Sequence, residues 1–326
     1  MRAVVVTEFG GPEVLRWLEV ADPVAAPGEV VVRITASAVN RADLLQRQGF
    51  YPPPPGAPEY PGLECSGVVE SVGAGVTGWA TGDPCTALLA GGGYAEQVVV
   101  HAGSALRVPE RLSLEEAAAV PEVFLTAYLN LFEVGSLPAT GSALVHGGGS
   151  GVGTAAIQLI KAAGGRALIT AGSEDKCGRC LELGADVAID YRKENFAERV
   201  REETNGRGVD VVLDSIGASY LEGNLASLAT GGRLVLIGLM GGAKVEVNLA
   251  VLLAKRLHVV GSTLRTRSVE EKAAIAASFA RRFGADLASG RLRPIVDRVL
   301  PLADVAEAHR AMKASEHFGK IVLQVC

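Results

Sequence analysis

The sequence has few cysteines, and they are scattered. Five occur among 326 residues, at positions 65, 85, 177, 180 and 326. An odd, dispersed set favours reduced thiols over a disulfide framework. Cys177 and Cys180 form a C-x-x-C pair, but no second pair accompanies them and the surrounding segment, EDKCGRCLELGA, predicts a helix. We therefore interpret the pair as ordinary helix residues rather than as a zinc or redox site.

The sequence also lacks a long apolar run and an excess of positive charge. No apolar stretch is expected to approach the roughly 18 residues that span a bilayer, and the N-terminal segment MRAVVVTEFGG has no long apolar region of the signal-peptide type. The net charge is −5 with both signs scattered, which leaves no basic stripe for nucleic acid or anionic lipid. We expect a cytoplasmic protein that binds neither nucleic acid nor a membrane.

The sequence pattern of the first 110 or so residues is typical of a small all-β unit. Short β-branched runs such as EVVVRITASAVN are broken by Gly and Pro. Between the second and third runs lies NRADLLQRQGFYPPPPGAPEYPG, in which a helical turn precedes a proline run that must be extended and exposed. A loop of this length in a compact domain is often functional, the alternative being a rigid crossover.

A second domain is indicated further along. Ser113 and Glu116 form a capping box at the start of a helical segment that leads into it. Apolar strand segments then alternate with helical ones, the strands being at 142–146, 166–171, 186–191, 209–215, 232–238 and 257–263. Six apolar strands separated by helices predict a doubly wound parallel α/β sheet. The tail after residue 265 is predicted to return to the first domain.

The run SALVHGGGSGVGTAAIQLIKAA predicts a strand, a tight turn and a helix. Gly148, Ser150 and Gly153 occupy the three positions of a G-x-G-x-x-G turn, and serine is small enough for close approach by a phosphate. Because this turn opens a series of six strands, it predicts a dinucleotide at the helix N-terminus. The alternative is a glycine-rich packing turn.

The end of the second of these strands indicates which dinucleotide binds. Enzymes that use NAD carry an acidic residue there, whereas this chain has Gly172 and Ser173, followed by Lys176. A hydroxyl, helix amides and an ammonium would stabilise a 2′-phosphate. Glu174 and Asp175 complicate this reading, because they would repel a phosphate if they pointed inward. The residues favour NADPH over NADH.

Several stretches carry a resemblance to a known family. They include NRADLLQRQGFY at 40–51, GVGTAAIQL at 151–159, TAGS at 170–173, GLMGG at 238–242 and GKIVL at 319–323. The whole chain resembles the zinc-independent quinone oxidoreductases of the medium-chain dehydrogenase/reductase superfamily, and among them the p53-inducible quinone oxidoreductase branch. The resemblance implies a Rossmann dinucleotide-binding domain at 123–265 and a GroES-like catalytic domain at 1–122 and 266–326, with the substrate cleft between them. It also implies a homodimer formed by pairing the last Rossmann strands.

The same resemblance argues against a metal. Zinc-dependent relatives place the ligands of their catalytic metal at positions that match Asn40, Leu63 and Glu122, and Leu63 cannot bind zinc. The clustered cysteines of the relatives' structural zinc site are also missing. Without a Lewis acid, we expect an acceptor that needs little activation, a quinone or an activated enone, which accepts hydride from the nicotinamide.

By resemblance, Tyr51 lies near the substrate, as a hydrogen-bond donor or a stacking platform. Asn40 would orient the nicotinamide ribose or the substrate carbonyl, unless it only caps the loop. His317 would add a positive charge at the phosphate, although a surface histidine is an equal alternative. The implied cofactor contacts are Thr126 at the nicotinamide, Ser150 near the reacting centre, Gly151, Val152 and Gly153 at the pyrophosphate, Gly172, Ser173, Lys176 and Tyr191 at the adenosine phosphate, Ser215, Leu239 and Leu264 along the cleft, and His317 and Phe318 from the tail.

Three functions are compatible with these features. The first is an NADPH-dependent quinone reductase. The second is an NADPH-dependent reductase of α,β-unsaturated aldehydes or ketones, which uses the same hydride geometry. The third is a nucleotide-binding structural or RNA-binding protein, because some members of the family serve as lens crystallins or bind RNA. The net acidity and the complete cofactor motif disfavour the third.

Overall fold

The computed structural model describes residues 1–325 and divides into two compact units. The first unit consists of Met1–Leu125 and the described residues from Leu264 onward, and the second of Thr126–Thr263. The predicted boundaries, after residues 122 and 265, lie three residues before and two residues after the observed ones. Cys326, one of the five cysteines noted above, lies outside the described residues.

The first unit begins as a β structure around one long strand. Its elements up to residue 107 are β1 (Arg2–Val6), β2 (Leu15–Glu19), β3 (Glu29–Ala38), α1 (Arg41–Arg47), β4 (Glu64–Val72), β5 (Pro84–Leu88), β6 (Gln97–His101) and β7 (Ala105–Arg107). β1 and β2 form an antiparallel pair, and β3 pairs antiparallel with both β4 and β6. The valine-rich run of β3 is almost entirely buried, as expected for a strand with neighbours on both sides.

Two short helices follow, α2 (Leu114–Ala117) and α3 (Pro121–Tyr128), and then a π-helical segment, Leu129–Val134. The capping box before α2 is present: Glu116 N donates to Ser113 Oγ over 3.2 Å, and Ser113 N donates to Glu116 Oε2 over 2.9 Å. The expectation that no apolar run reaches spanning length is wrong for Leu114–Val134, which is long and apolar enough by composition. Of its most apolar 18-residue window, 83% is buried inside the protein, so the segment packs as core.

The second unit is the predicted doubly wound sheet. Its strands run in the order β10-β9-β8-β11-β12-β13, all parallel. Its elements are β8 (Ser142–His146), α4 (Gly151–Ala162), β9 (Arg166–Ala171), α5 (Glu174–Glu182), β10 (Val187–Asp190), α6 (Phe196–Glu203), β11 (Val209–Asp214), α7 (Leu221–Ser227), β12 (Leu228–Leu236), α8 (Leu249–Lys255) and β13 (His258–Gly261). The first strand lies centrally and the order reverses beside it, so its carboxyl end is the switch point where such sheets bind ligands.

The C-x-x-C pair lies in α5. Cys177 and Cys180 are both buried, and burial raises the pKa of Cys180 to about 12. Burial also raises the pKa of Cys177. Thiols that stay protonated are poor nucleophiles and poor metal ligands, which agrees with the interpretation of the pair as helix residues.

The C-terminal tail completes the first unit. It contains α9 (Val269–Ser289), β14 (Val296–Pro301), α10 (Val305–Ala314) and β15 (Lys320–Gln324). β15 runs antiparallel to β3, with Val322 opposite Ala38. The resulting sheet has the order β14-β15-β3-β4-β5-β7, with β6 on the edge of β3. The tail therefore belongs to the first unit and pairs with its longest strand.

Candidate functional site

The glycine turn joins β8 to α4. Ser150 is the N-cap of α4, and its Oγ accepts a hydrogen bond from Gly153 N over 3.0 Å. Gly147 has a φ of +74°, and a Cβ on Gly153 would lie 2.2 Å from Gly147 O. A Cβ on Gly148 would lie 2.9 Å from side-chain atoms of Ile169 in β9. Only glycine fits where the backbone passes this close to other atoms. The close packing brings helix and strand together, and the helix N-terminus stays free to hold a diphosphate.

A buried histidine holds the strand ends around this turn. His146 ends β8; its Nδ1 lies 3.0 Å from Thr170 Oγ1 and its Nε2 lies 2.6 Å from Asn224 Oδ1. Asn224 Nδ2 donates in turn to Asp214 Oδ2 over 2.9 Å. Burial lowers the pKa of His146 to about 4, so the ring is neutral. Because an amide oxygen can only accept, Nε2 carries the proton and Nδ1 accepts from threonine.

The predicted adenosine-phosphate residues lie together beyond β9 and β10. Ser173 caps α5 by accepting from Lys176 N over 3.2 Å. A Cβ on Gly172 would lie 2.6 Å from Tyr191 Oη, so the tyrosine hydroxyl lies against the glycine backbone. The Glu174 carboxylate forms an exposed ion pair of 3.0 Å with Lys193. Lys193, which the sequence analysis did not single out, thus neutralises one of the two acids that would oppose a phosphate.

The remaining predicted cofactor contacts are divided between the units. Thr126, Ser215 and Leu239 belong to the second unit, and Leu239 is 55% exposed. Leu264, His317 and Phe318 belong to the first unit and are buried. The alternative that His317 is a surface histidine is wrong, because only 6% of it is exposed. Contact of these residues with a cofactor stays a prediction.

The first unit contains a buried ion pair between Lys320 and Glu64. Lys320 Nζ lies 2.8 Å from Glu64 Oε1, and the two side chains are 3% and 0% exposed. The ammonium also donates to Asn40 Oδ1 over 2.6 Å and to Val39 O over 2.8 Å. Asn40 Nδ2 donates to Glu64 Oε1 over 2.9 Å, which closes a ring of three side chains. Every buried charge in this ring is therefore paired and hydrogen-bonded.

Strand pairing explains why these residues meet. Asn40 follows the end of β3, Glu64 begins β4 and Lys320 begins β15. β3 lies between β4 and β15, with Ser37 opposite Cys65 and Ala38 opposite Val322. The register therefore brings the end of β3 next to the beginnings of both neighbours.

The hydrogen bonds of Asn40 restrict what its side chain can do. Its two amide hydrogens are donated to Glu64 Oε1 and, over 3.1 Å, to Ala38 O. Its Oδ1 accepts from Lys320, and Asn40 is also the N-cap of α1, where its side chain forms a capping box with Asp43. Asn40 therefore cannot donate to a substrate carbonyl without breaking a buried hydrogen bond. The alternative that Asn40 caps the loop is observed, and its contact with a ribose or a substrate stays a prediction.

A second buried chain begins at Asp43, whose carboxylate accepts from Asn40 N over 2.8 Å and from Tyr94 Oη over 3.1 Å. Burial raises the pKa of Asp43 to about 6. Tyr94 Oη lies 3.3 Å from His309 Nε2, and His309 Nδ1 lies 3.4 Å from Arg47 Nη1. Burial, followed by the Arg47 charge, lowers the pKa of His309 to about 3. This chain links the start of α1 to α10.

Glu122 occupies the third position that matches a zinc ligand. It is the second residue of α3, its backbone N donates to Glu64 Oε2 over 2.9 Å, and burial followed by the Glu64 carboxylate raises its pKa to about 8. A carboxyl group that is protonated at neutral pH is a poor metal ligand. Leu63 is buried, and Asn40 Oδ1 already accepts from an ammonium. These three residues do not fit zinc. Within residues 1–325, no three His, Cys, Asp or Glu side chains cluster to bind a metal.

Tyr51 begins the proline run and lies beside a buried arginine. The Tyr51 carbonyl accepts from Arg265 Nη1 over 3.0 Å, and the guanidinium carbon of Arg265 lies 5.2 Å from the centre of the Tyr51 ring. Burial, followed by Glu122, raises the pKa of the Tyr51 phenol, and the Arg265 charge opposes that shift. The phenol is therefore neutral at physiological pH and able to donate a hydrogen bond.

Sequence analysis missed the charged residues around the predicted site: Glu64, Lys320 and Arg265. Glu64 lies in the segment GLECSG, and Lys320 lies in GKIVL, one of the stretches that carry the family resemblance. The available signal was a charged residue at the first position of an otherwise apolar strand. Arg265 gave no such signal, because LRTR has the composition of an exposed turn.

Comparisons with known proteins agree with this architecture. Residues 26–110 match the family described as alcohol dehydrogenase GroES-like domain, and residues 151–286 match the family described as zinc-binding dehydrogenase. Human quinone oxidoreductase is 33% identical over 326 residues, which cover 99% of this chain and 97% of the human protein.

Solved structures are equally similar. One, described as an NAD-dependent alcohol dehydrogenase, is 36% identical with a TM-score of 0.88 and full coverage of both chains. A mycobacterial protein, solved in complex with NADPH, is 34% identical with a TM-score of 0.87 over 99% of both chains. The two names differ in cofactor, so the choice between NADH and NADPH depends on the residues of this chain.

The raised pKa of Glu122 predicts a pH-dependent stability. Between the ordinary carboxyl pKa, about 4.5, and its folded value, about 8, the folded protein holds a proton that the unfolded chain releases. Wild-type stability therefore falls as the pH rises through this window, by at most about 1.4 kcal/mol per pH unit. We expect Glu122→Gln to gain stability relative to wild type between pH 5 and 8, measured by urea unfolding.

The matched control is Glu8→Gln, which alters an exposed carboxylate of the same unit. Its stability relative to wild type should not change with pH in this window. Parallel pH profiles for wild type and Glu122→Gln would show that Glu122 is ionised in the folded protein.

Proposed function

Because the chain belongs to the medium-chain dehydrogenase/reductase superfamily, with quinone oxidoreductases among its relatives, we propose that it is a cytoplasmic, metal-independent NADPH:quinone reductase. The observation that carries this proposal is the contrast between the two units. The second unit has a dinucleotide turn, whereas the first has Leu63, a protonated Glu122 and a fully engaged Asn40 where zinc-dependent relatives bind their metal. Membership of the p53-inducible branch stays a prediction.

The lack of zinc ligands supports an acceptor that needs little activation. Reduction of an unactivated carbonyl requires a Lewis acid or a strong proton donor to stabilise the oxyanion. A quinone is already an electrophile, and its reduced form is a delocalised phenolate. The chain then has to bind the acceptor, exclude water and supply hydrogen bonds. Tyr51 is the proposed donor, because its phenol is neutral and held by Arg265.

The residues of the second unit fit a nicotinamide dinucleotide. When bound, it supplies the hydride. Gly151, Val152 and Gly153 would hold the pyrophosphate with the backbone amides of α4. Ser150 is exposed, and since its oxygen already accepts from Gly153 N, its hydroxyl hydrogen is left to donate. These roles require no rearrangement of the turn.

Preference for the 2′-phosphate is supported at the ends of β9 and β10. No carboxylate follows β9 directly. The Tyr191 hydroxyl lies beside the Gly172 backbone, and the Ser173 hydroxyl caps α5. Lys176 lies in the first turn of α5, and Lys193 neutralises Glu174. The local charge suits a dianion better than a ribose hydroxyl pair.

A homodimer is supported by the open edge of the parallel sheet. β13 is the last strand in the sheet order, and β12 is its one partner among the described strands. Val259 on β13 is 43% exposed, and Leu249 and Leu253 on α8 are 62% and 79% exposed. An unprotected edge beside exposed apolar side chains is suited to pairing with the same edge of a second copy about a two-fold axis.

The function is tested by an acceptor panel. Purified protein should oxidise NADPH with ortho- or para-quinones, and Tyr51→Phe should lower kcat by about 100-fold, the cost of removing one oxyanion donor. Tyr60→Phe, a second tyrosine of the same loop, is the control. Turnover of enals and enones in place of quinones would favour the enone reductase. NADPH binding without any turnover would favour the non-enzymatic alternative.

The cofactor preference is tested on α5. Lys176→Ala should weaken NADPH binding by about tenfold or more, the value of one charge-assisted hydrogen bond, and leave NADH binding unchanged. Ser173→Asp preserves the helix cap but places a carboxylate at the strand end, and should reverse the preference. Isothermal titration measures both effects, with Arg201→Ala on the exposed face of α6 as control. Equal wild-type affinities for the two cofactors would contradict the assignment.

The dimer is tested by placing charge on the β13 edge. Wild type should elute at twice the chain mass of 33.7 kDa in size exclusion with light scattering. Val259→Lys combined with Leu253→Lys should give monomers at micromolar concentration, because like charges would face each other across the axis. Val24→Lys, at an 84% exposed position of the first unit, should remain dimeric. A monomeric wild type would exclude this interface.

A further inference from the structure

The proline segment, residues 51–59, is held at both of its ends by two side chains that bond to each other. At the first end, Arg265 Nη1 donates to Tyr51 O over 3.0 Å. At the other end, Gln46 Nε2 donates to Glu59 O over 2.7 Å. Arg265 Nη2 donates to Gln46 Oε1 over 2.7 Å, so the two contacts form one connected clasp. All of these residues belong to the first unit.

Arg265 is suited to this task in a way that a lysine would not be. Only 3% of it is exposed, and its third nitrogen, Nε, donates to Ala90 O over 2.8 Å. A planar guanidinium thus reaches three separate acceptors at fixed angles. An ammonium at the end of a flexible stem cannot reproduce these contacts. The burial of a cation here is compensated by carbonyl and amide oxygens and by the Tyr51 ring.

The same arginine affects the chemistry of Tyr51. Its guanidinium lies over the phenol ring, and Arg265 and Glu122 are the charged groups that act on that phenol. Glu122 and Arg265 act on the phenol in opposite directions, and the Arg265 charge, 5.2 Å from the ring centre, is the one that lowers its pKa. A cation beside a phenol strengthens the O–H as a donor, because it stabilises the negative charge that builds on oxygen.

We propose that Arg265 is the positioning residue of Tyr51: with Gln46 it clasps the proline segment, and its charge strengthens the phenol as a donor to the reduced acceptor. The clasp is supported by the observed contacts. The effect of the Arg265 charge on the phenol rests on the proposed function, in which Tyr51 touches the acceptor. Two experiments separate the parts.

The clasp is tested without turnover. Cleavage of the Glu59–Tyr60 bond by a glutamate-specific protease requires the segment to open, and the fragment can be followed by mass spectrometry in the full-length protein. Arg265→Lys and Gln46→Leu should each increase this cleavage rate by about tenfold or more, since each removes hydrogen bonds at an end of the segment. Arg267→Lys, which alters a partly exposed arginine paired with Glu271 at 2.9 Å, is the matched control and should cleave like wild type.

The action through Tyr51 is tested with a double-mutant cycle on quinone reduction. Arg265→Lys should lower kcat by about 10- to 100-fold, because a misplaced donor loses transition-state stabilisation, while the KM for NADPH stays unchanged. In a Tyr51→Phe background, the same substitution should cause little further loss. A merely structural arginine would lower activity by the same factor in both backgrounds.

The outcomes distinguish this inference from the proposed function. Unchanged cleavage in Arg265→Lys and Gln46→Leu overturns the clasp, and multiplicative losses in the cycle overturn the role through Tyr51. If the wild type reduces no acceptor, the proposed function and the role of the phenol fail together, while the cleavage rates still decide whether the clasp exists.

Discussion

The first unit depends on one buried ion pair, between Lys320 and Glu64. Removing two charges from water costs several kcal/mol for each ion, and an interaction of 2.8 Å offsets this only if the remaining donors and acceptors are also satisfied. Here the satisfying groups come from different elements: Val39 and Asn40 after β3, and the backbone of Glu122 in α3. Loss of either charge would leave the other buried and unpaired, so the ends of these elements are fixed together.

This constraint also sets the chemistry nearby. The Glu64 carboxylate is committed to Lys320, Asn40 and the Glu122 backbone, and its negative charge, added to burial, keeps the Glu122 carboxyl protonated. The same pair takes one donated hydrogen and the acceptor oxygen of the Asn40 amide. By resemblance, Asn40, Leu63 and Glu122 occupy the positions of the metal ligands in zinc-dependent relatives. Here Asn40 bonds to an internal salt bridge, Leu63 is apolar and Glu122 is a neutral acid.

Local signals made the second unit predictable from sequence. Its strands are short apolar runs between helices, and Gly153 is required by a close contact within the same turn, so neighbouring residues carry all the information. The cluster of the first unit could not be predicted in this way. Lys320 and Asn40 are 280 residues apart, and Arg265 reaches Gln46 across 219. These contacts exist only after the tail has paired with β3, and a charged residue in a short motif does not reveal whether it will be buried.

Each unit contains buried groups whose contributions to stability respond in opposite ways to pH. In the second unit, His146 holds the loops at the strand ends. In the first unit, the chain of side chains that joins Asp43 to His309 does so. Both histidines are neutral because burial lowers their pKa values, to about 4 for His146 and about 3 for His309. As the pH falls below about 6.5, the unfolded chain binds protons at these histidines that the folded protein does not, so stability is lost on the acid side. Asp43 and Glu122, whose pKa values are raised to about 6 and about 8, hold protons that the unfolded chain releases, so their contribution is lost as the pH rises. Burial also raises the pKa of Asp214, which bonds to Asn224 beside His146, so each unit contains a histidine that limits stability on the acid side and a carboxyl group that limits it on the alkaline side.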